Sequence, residues 1–267
     1  MRSARQFLDS IFHLRSMFIL LIAILFFVIA FFYSSVGFGG GSSYLAILSL
    51  ALVEFHEIRT LALVLNLAVV LIGTSLYLKN RVVDWKAFWP FIVCSIPVAF
   101  LGAQFKLSET VFFVLLGGSL FAASLFMIIQ VVSSKQESRE LSLTKKIALG
   151  SGIGLLSGMV GIGGGIFLSP TLNLLGWRTP RTIAALAAVF ILSNSAAGLL
   201  GLLVSGSFEL NLDWAWPLLA AVVVGGILGS TFSIKKFNNN IVRAVTALLV
   251  GYVGSKLILL HGFEIYI

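Results

Sequence analysis

Two short glycine runs interrupt apolar segments of this chain and constrain its fold more than any other feature. They occupy residues 37–41 and 161–165, and each has the pattern Gly-x-Gly-Gly-Gly. Glycine in a helix interior costs about 1 kcal/mol relative to alanine, so three in succession favour an interruption of the helix. The sequence therefore predicts two broken helices.

The composition around these runs predicts an all-α, multi-pass membrane protein. Hydrophobic residues make up 59% of the 267 residues and charged residues only 10%, whereas soluble domains have about 25% charged residues. In hydrocarbon, a helix break is tolerated only where its backbone is buried in protein or lines a polar cavity. Two breaks in corresponding places indicate a transporter's binding site. The alternative is that the glycines only let helices cross closely.

Apolar segments long enough to cross a bilayer, which requires about 20 residues, are separated by short polar turns. The predicted spans are residues 17–36, 60–78, 87–105, 110–132, 181–204, 214–232 and 241–260, with shorter apolar pieces at 44–55, 147–160 and 166–175. Residues 1–16 form an amphipathic lead-in. This start is similar to a signal peptide, but it has no Ala-x-Ala-like cleavage site and is expected to be retained.

The chain divides into two related halves. We assign residues 17–132 to the first transmembrane repeat, 133–146 to a cytoplasmic linker and 147–267 to the second repeat. Arg59-Thr60 corresponds to Arg181-Thr182, and Asp84-Trp85 corresponds to Asp213-Trp214. The ordered set of matches favours a diverged duplication.

The net charge of +8 is explained by topology rather than by nucleic-acid binding. Basic loops at residues 79–86, 133–146 and 235–243 are expected in the cytoplasm, and the acidic loop 205–213 outside. This scheme orients the two halves oppositely, as in inverted-repeat transporters, with each glycine run bending a re-entrant hairpin. The arginines near the N-terminus favour the opposite side, so the side of the N-terminus stays open.

The helices that begin after the glycine runs are expected to point their N-termini into a shared cavity. Free N–H groups and the positive end of a helix dipole bind anions without a buried cation. Ser42 and Ser43 are expected to cap the first of these helices. Polar residues of nearby spans supply further donors, although they also suit contacts between helices. The candidate substrate-binding residues are Gly39, Gly40, Gly41, Ser42, Ser43, Asn66, Gly163, Gly164, Gly165, Ser193, Asn194 and Ser195.

Arg59 and Arg181 occupy equivalent places at the ends of the two hairpins. They are candidates for gating or for steering anions at each mouth. The alternative is that Arg59 pairs with Glu57 or Glu54, and that Arg181 only sets topology. Lys256 is the clear candidate for a charge inside a span.

Several functional classes lack their sequence features. The chain has no Walker sequence and no complete dinucleotide fingerprint, which argues against ATP-driven transport. Cys94 is the only cysteine and the three histidines are scattered, so we expect no metal site, no cofactor and no enzymatic activity. The alternatives to a secondary permease are a passive anion channel and a non-transporting membrane scaffold. A homo-oligomer is left open.

The paired glycine runs, Pro170 after the second run and the two Arg-Thr helix starts resemble the sulfite exporter TauE/SafE family. The resemblance extends from about residue 31 onward. It implies a bacterial cytoplasmic-membrane permease that exports sulfite or small organosulfonates, with residues 39–41 and 163–165 near the permeation site. The first copy has Ala46 where the second has Pro170, so a role for the proline extends to one half only.

Overall fold

The computed structural model describes residues 2–36, 39–50, 55–132, 140–232 and 239–263. These residues form ten helices and no strand, which confirms the all-α prediction. The helices are α1 (Arg2–Val36), α2 (Gly41–Leu48), α3 (Phe55–Lys79), α4 (Trp85–Gln104), α5 (Glu109–Val132), α6 (Leu143–Val160), α7 (Gly165–Leu174), α8 (Pro180–Val204), α9 (Leu212–Phe232) and α10 (Asn239–Gly262).

Seven of these helices are long and apolar enough to cross a membrane: α1, α3, α4, α5, α8, α9 and α10. The other three flank the glycine runs, since α2 follows the first run and α6 and α7 enclose the second. The second run interrupts its helix as predicted, because α6 ends at Val160 and α7 begins at Gly165. Gly37 and Phe38 of the first run lie outside the described residues.

Two pairs of long helices, α3 with α8 and α5 with α10, pack in opposite directions. In the pair α3 and α8, Asn66 bonds Ser195, whereas Leu63, closer to the start of α3, lies beside Gly198. In the pair α5 and α10, Ser124 donates to the carbonyl of Ala247. Gly117, earlier in α5, lies against Gly254, later in α10. Both pairs are therefore antiparallel.

Two further pairs are parallel. Helix α6 packs on α4, and helix α1 packs on α9. Gly150, Gly154 and Gly158 of α6 lie against the backbone of Phe91, Ser95 and Ala99 of α4, respectively. The four-residue spacing of these glycines places all three on one face of α6, where they let the backbone of α4 approach closely. The same device recurs where Gly225 and Gly229 of α9 meet the carbonyls of Phe27 and Phe31 of α1.

This packing predicts that Gly154→Ala destabilises the protein. A Cβ at Gly154 would lie 2.8 Å from the carbonyl oxygen of Ser95, so α6 and α4 must separate. Overpacking of this kind costs about 1–3 kcal/mol, and we expect a lower thermal midpoint in detergent. The control is Gly152→Ala in the same helix, where a Cβ meets nothing within 4 Å. Equal midpoints for the two variants would contradict the close contact.

Three local details add to the sequence prediction. Residues 143–146, assigned to the linker, form the first turn of α6, where the Ser142 side chain accepts a hydrogen bond from the Lys145 amide. Pro170 lies in the second turn of α7, where its missing N–H leaves the carbonyl of Ile166 without a helical partner. The lead-in is continuous with the first span, since α1 begins at Arg2.

Candidate functional site

The helices α2 and α7 begin in the same way. Each is preceded by a glycine N-cap with positive φ, 88° at Gly40 and 83° at Gly164, which has no side chain with which to cap the helix. An L side chain rarely adopts this conformation, so glycine is needed at both caps. The prediction that Ser42 and Ser43 cap α2 is wrong, because both lie within its first turn. The Ser43 hydroxyl instead lies 2.5 Å from the hydroxyl of Tyr33.

Both helix starts lie beside the middle of a long helix. Gly39 and Gly41 contact Asn66, near the centre of α3, and Gly165 contacts Ile191, near the centre of α8. Helix α7 then returns toward the beginning of α8, where Trp177 shares a buried cluster with residues of the first turns of that helix. The N-termini of α2 and α7 are therefore at similar depth in the helix bundle.

Asn66 connects the two glycine breaks directly. Its Oδ1 accepts a hydrogen bond from the amide of Gly41 at 3.2 Å. Its Nδ2 donates to the carbonyl of Ile162 at 3.4 Å and to Oγ of Ser195 at 3.2 Å. The side chain is 1% exposed. Both amide hydrogens are used, so in this structure Asn66 positions the two helix starts.

A small cavity separates the two helix starts. Its volume, counted with its mouth, is about 250 Å³. The lining comes from both breaks and from the helices beside them: Tyr33, Gly39, Gly40, Gly41, Ser42, Asn66, Met127, Ile162, Gly165, Ile166 and Ile191. No lysine or arginine of the described residues is part of this lining.

Backbone amides supply the unpaired donors of the cavity. Within the described part of the chain, the amides of Ser42, Gly165 and Ile166 make no hydrogen bond, because each lies in the first turn of its helix. First-turn amides have no intrahelical acceptor. Together with the helix dipoles they form a site of positive potential suited to an anion.

The polar residues of α8 differ in what they contact. Ser195 reaches the site through Asn66. Asn194 donates from Nδ2 to the carbonyl of Phe190 in its own helix, while its buried Oδ1 has no partner among the described residues. Ser193 is half-buried. Ser195 contacts the lining residue Asn66, but Ser193, Asn194 and Ser195 all lie outside the lining itself.

Two tyrosines near the first break were not identified from the sequence. Tyr33 lines the cavity, and Tyr44 is fully buried with its ring stacked on Phe26 at 4.7 Å between centroids. The Tyr44 hydroxyl has no hydrogen-bond partner among the described residues. The available signal was that both residues lie within a few positions of the glycine run.

The two equivalent arginines have different environments. The Arg59 side chain donates to the carbonyls of Ala103 at 3.1 Å, Gly158 at 3.0 Å and Phe105 at 3.5 Å. Among the described residues it forms no ion pair with Glu57, and Glu54 lies outside them. Arg181 is exposed and makes no hydrogen bond or ion pair in the described part of the chain.

The prediction of Lys256 as the intramembrane charge needs correction. Lys256 is half-buried, whereas Arg59 is only 7% exposed. Arg59 was assigned to a hairpin end because it follows the polar stretch 54–57. The apolar residues that follow Arg59, from Leu61 onward, were the sequence signal that this side chain could lie inside the helix bundle.

Comparison with known proteins agrees with this architecture. The family model described as sulfite exporter TauE/SafE matches residues 21–257. A relative from Sinorhizobium fredii, named probable membrane transporter protein y4hK, is 35% identical over 246 residues, which cover 89% of this chain and 97% of the relative. Probable membrane transporter protein YunE of Bacillus subtilis is 25% identical over 253 residues, covering 84% and 92%.

No solved structure matches this chain. The family match covers both glycine breaks and Asn66. It also covers the seven candidate spans, apart from the first residues of the first span and the last residues of the last span. The chain is thus a multi-pass membrane transporter protein that belongs to the sulfite exporter TauE/SafE family.

Proposed function

We propose that this protein is a secondary permease that exports a small sulfur-containing anion, sulfite or an organosulfonate, across the bacterial cytoplasmic membrane. The observation that supports the proposal best is the cavity between the N-termini of α2 and α7, lined by both glycine breaks. The family to which the chain belongs is described as sulfite exporters.

The chemistry of the cavity favours an anion that is bound weakly. Each helix N-terminus carries the equivalent of about half a positive charge, and the unpaired amides of Ser42, Gly165 and Ile166 can donate to oxyanion oxygens. A permanent cation beside the substrate would hold it strongly, whereas transport requires that binding permit release.

The helix directions support alternating access by two inverted repeats. A repeat related by an axis along the membrane normal would make α3 and α8 parallel, whereas an axis in the membrane plane makes them antiparallel. The pairs α3 with α8 and α5 with α10 are antiparallel. The segments α1–α2 and α6–α7 then enter from opposite faces as re-entrant hairpins that meet at the cavity. Movement of helix groups relative to one another exposes the cavity to each side in turn.

Transport by purified protein in liposomes tests this function. We expect saturable movement of labelled sulfite or methanesulfonate that is accelerated when the same unlabelled anion is present on the opposite side. Acceleration from the opposite side indicates exchange through an alternating site. Flux that never saturates and shows no such acceleration would identify a channel. Folded protein that moves none of sulfite, methanesulfonate and thiosulfate would support a scaffold.

A further inference from the structure

Arg59 joins three helices at one end of the bundle. It lies near the start of α3, and its guanidinium bonds the last carbonyls of α4, at Ala103, and of α6, at Gly158. The third bond goes to Phe105, immediately after α4. Helices α3 and α4 have no extensive contact of their own, so this side chain connects them across a gap.

The guanidinium is suited to this position. The C-terminal carbonyls of a helix have no intrahelical donor and carry the negative end of the dipole. With 7% exposure and no carboxylate partner among the described residues, Arg59 depends on these carbonyls to offset its desolvation. Separation of α3 from α4 and α6 would break all of its hydrogen bonds together. Arg59 therefore acts as a latch that holds this end closed.

The other half contains the parts of a second latch in the unengaged state. Arg181 corresponds to Arg59 in the repeat, and it is exposed and unbonded in the described part of the chain. The pair Leu101-Gly102 recurs as Leu228-Gly229, so Ala103 corresponds to Ser230. The two glycine runs correspond to each other, so Gly158 corresponds to Ser34. The acceptors that match those of Arg59 are therefore the carbonyls of Ser230 and Ser34. These lie at the ends of α9 and α1, which pack in parallel as α4 and α6 do.

We infer that Arg59 and Arg181 are alternating latches, and that this structure is the state with the Arg59 latch engaged. In the opposite state, Arg181 bonds the ends of α9 and α1, and Arg59 is released from the ends of α4 and α6. The inference rests on the inverted, alternating architecture proposed above and names the contacts that define its two states. Each arginine bonds its helix-end carbonyls in one state only. Loss of either arginine therefore shifts the population toward the state in which the other arginine is bonded.

Alkylation of single cysteines in purified protein tests the latches without any anion. In a Cys94→Ala background, Ala103→Cys reports the Arg59 end and Ser230→Cys the Arg181 end, since both residues are buried here. The latch variants are Arg59→Lys, which keeps the charge but not the fork of donors, and Arg181→Gln. The matched control is Arg178→Gln, an exposed arginine paired with Glu140 on the same face as Arg181.

The expected changes are reciprocal. Loss of one hydrogen bond to a charged group shifts a two-state population by roughly tenfold or more. Arg59→Lys should raise alkylation at position 103 by about that factor without raising it at position 230. Arg181→Gln should favour the state seen here, in which both positions are buried, so it should lower alkylation at position 103 and leave it unchanged at position 230. Arg178→Gln should change neither rate.

Two outcomes would overturn the latches. A rise at both positions in Arg59→Lys would show general loosening of the fold. If Arg181→Gln has the same alkylation rates as Arg178→Gln, Arg181 has no engaged state. Because Arg181 is exposed, the Arg181→Gln variant is informative even if Arg59→Lys does not fold. The alkylation assay contains no anion, so it is independent of transport. If Arg59→Lys and Arg181→Gln change alkylation at position 103 in opposite directions but the protein transports no anion, the proposed function is wrong and the latch inference still holds.

Discussion

Replacing Gly163 by alanine is expected to abolish anion transport while leaving the helices in place. Gly163 has a φ of 79°, and a Cβ there would overlap with the amide nitrogen of Asn66 and lie 2.9 Å from Ile191. Backbone strain of about 1–3 kcal/mol and overpacking of a similar size should reduce the exchange rate to about one-hundredth or less. Sulfite exchange in liposomes measures the loss.

Two controls separate this effect from unfolding. Gly152→Ala introduces the same methyl group in helix α6, before the same glycine run, where it meets nothing within 4 Å. This variant should transport sulfite normally. The helical content of Gly163→Ala, measured by circular dichroism, should equal that of the native protein. Normal transport by Gly163→Ala would show that the second break does not contribute to the site.

Replacing Asn66 is expected to have an effect of similar size, because its side chain bonds both breaks. Asn66→Leu removes the hydrogen bonds to Gly41, Ile162 and Ser195. Each buried donor or acceptor that loses its hydrogen-bond partner costs about 1–3 kcal/mol. The rate of sulfite exchange should therefore fall by roughly hundredfold. Asn66→Asp has nearly the native shape but adds a negative charge beside the cavity, so it should lower anion binding further.

The comparison between the two Asn66 variants tests the charge preference of the cavity. If the cavity binds anions, Asn66→Asp should have the higher half-saturation concentration, and the difference should shrink at low pH as the carboxylate becomes protonated. Asn80→Asp, in the exposed turn after α3, adds the same charge away from the cavity and serves as control. Equal behaviour of Asn66→Leu and Asn66→Asp at every pH would argue that the cavity has no preference for anions.

The features that were predictable from the sequence depend on local chemistry. Three successive glycines interrupt a helix wherever they occur, so the second break could be assigned before the structure was known. Glycines at four-residue spacing in α6 create a flat surface that predicts close contact with another helix, and the structure shows that this helix is α4. The long apolar segments similarly require spanning helices, whichever neighbours they contact.

The features that were not predictable depend on which helices meet. Arg59 is buried because the ends of α4 and α6 converge on it and supply carbonyls, and nothing in the residues around Arg59 specifies that convergence. The same holds for Asn66, whose amide suits a ligand or a helix contact equally well until Gly41 and Ile162 are brought to it. Serine at the start of α2 suggested a cap, but the left-handed Gly40 begins the helix earlier.

Selenite, which has the shape and charge of sulfite, provides the most direct measurement of the shared anion site. Crystals grown with saturating selenite allow the selenium to be located by its anomalous scattering. The account predicts one selenium position between the start of α2 and the start of α7, with oxygens within hydrogen-bonding distance of the amides of Ser42, Gly165 and Ile166. Selenium located only elsewhere, or absent from that cavity at saturating concentration, would contradict it.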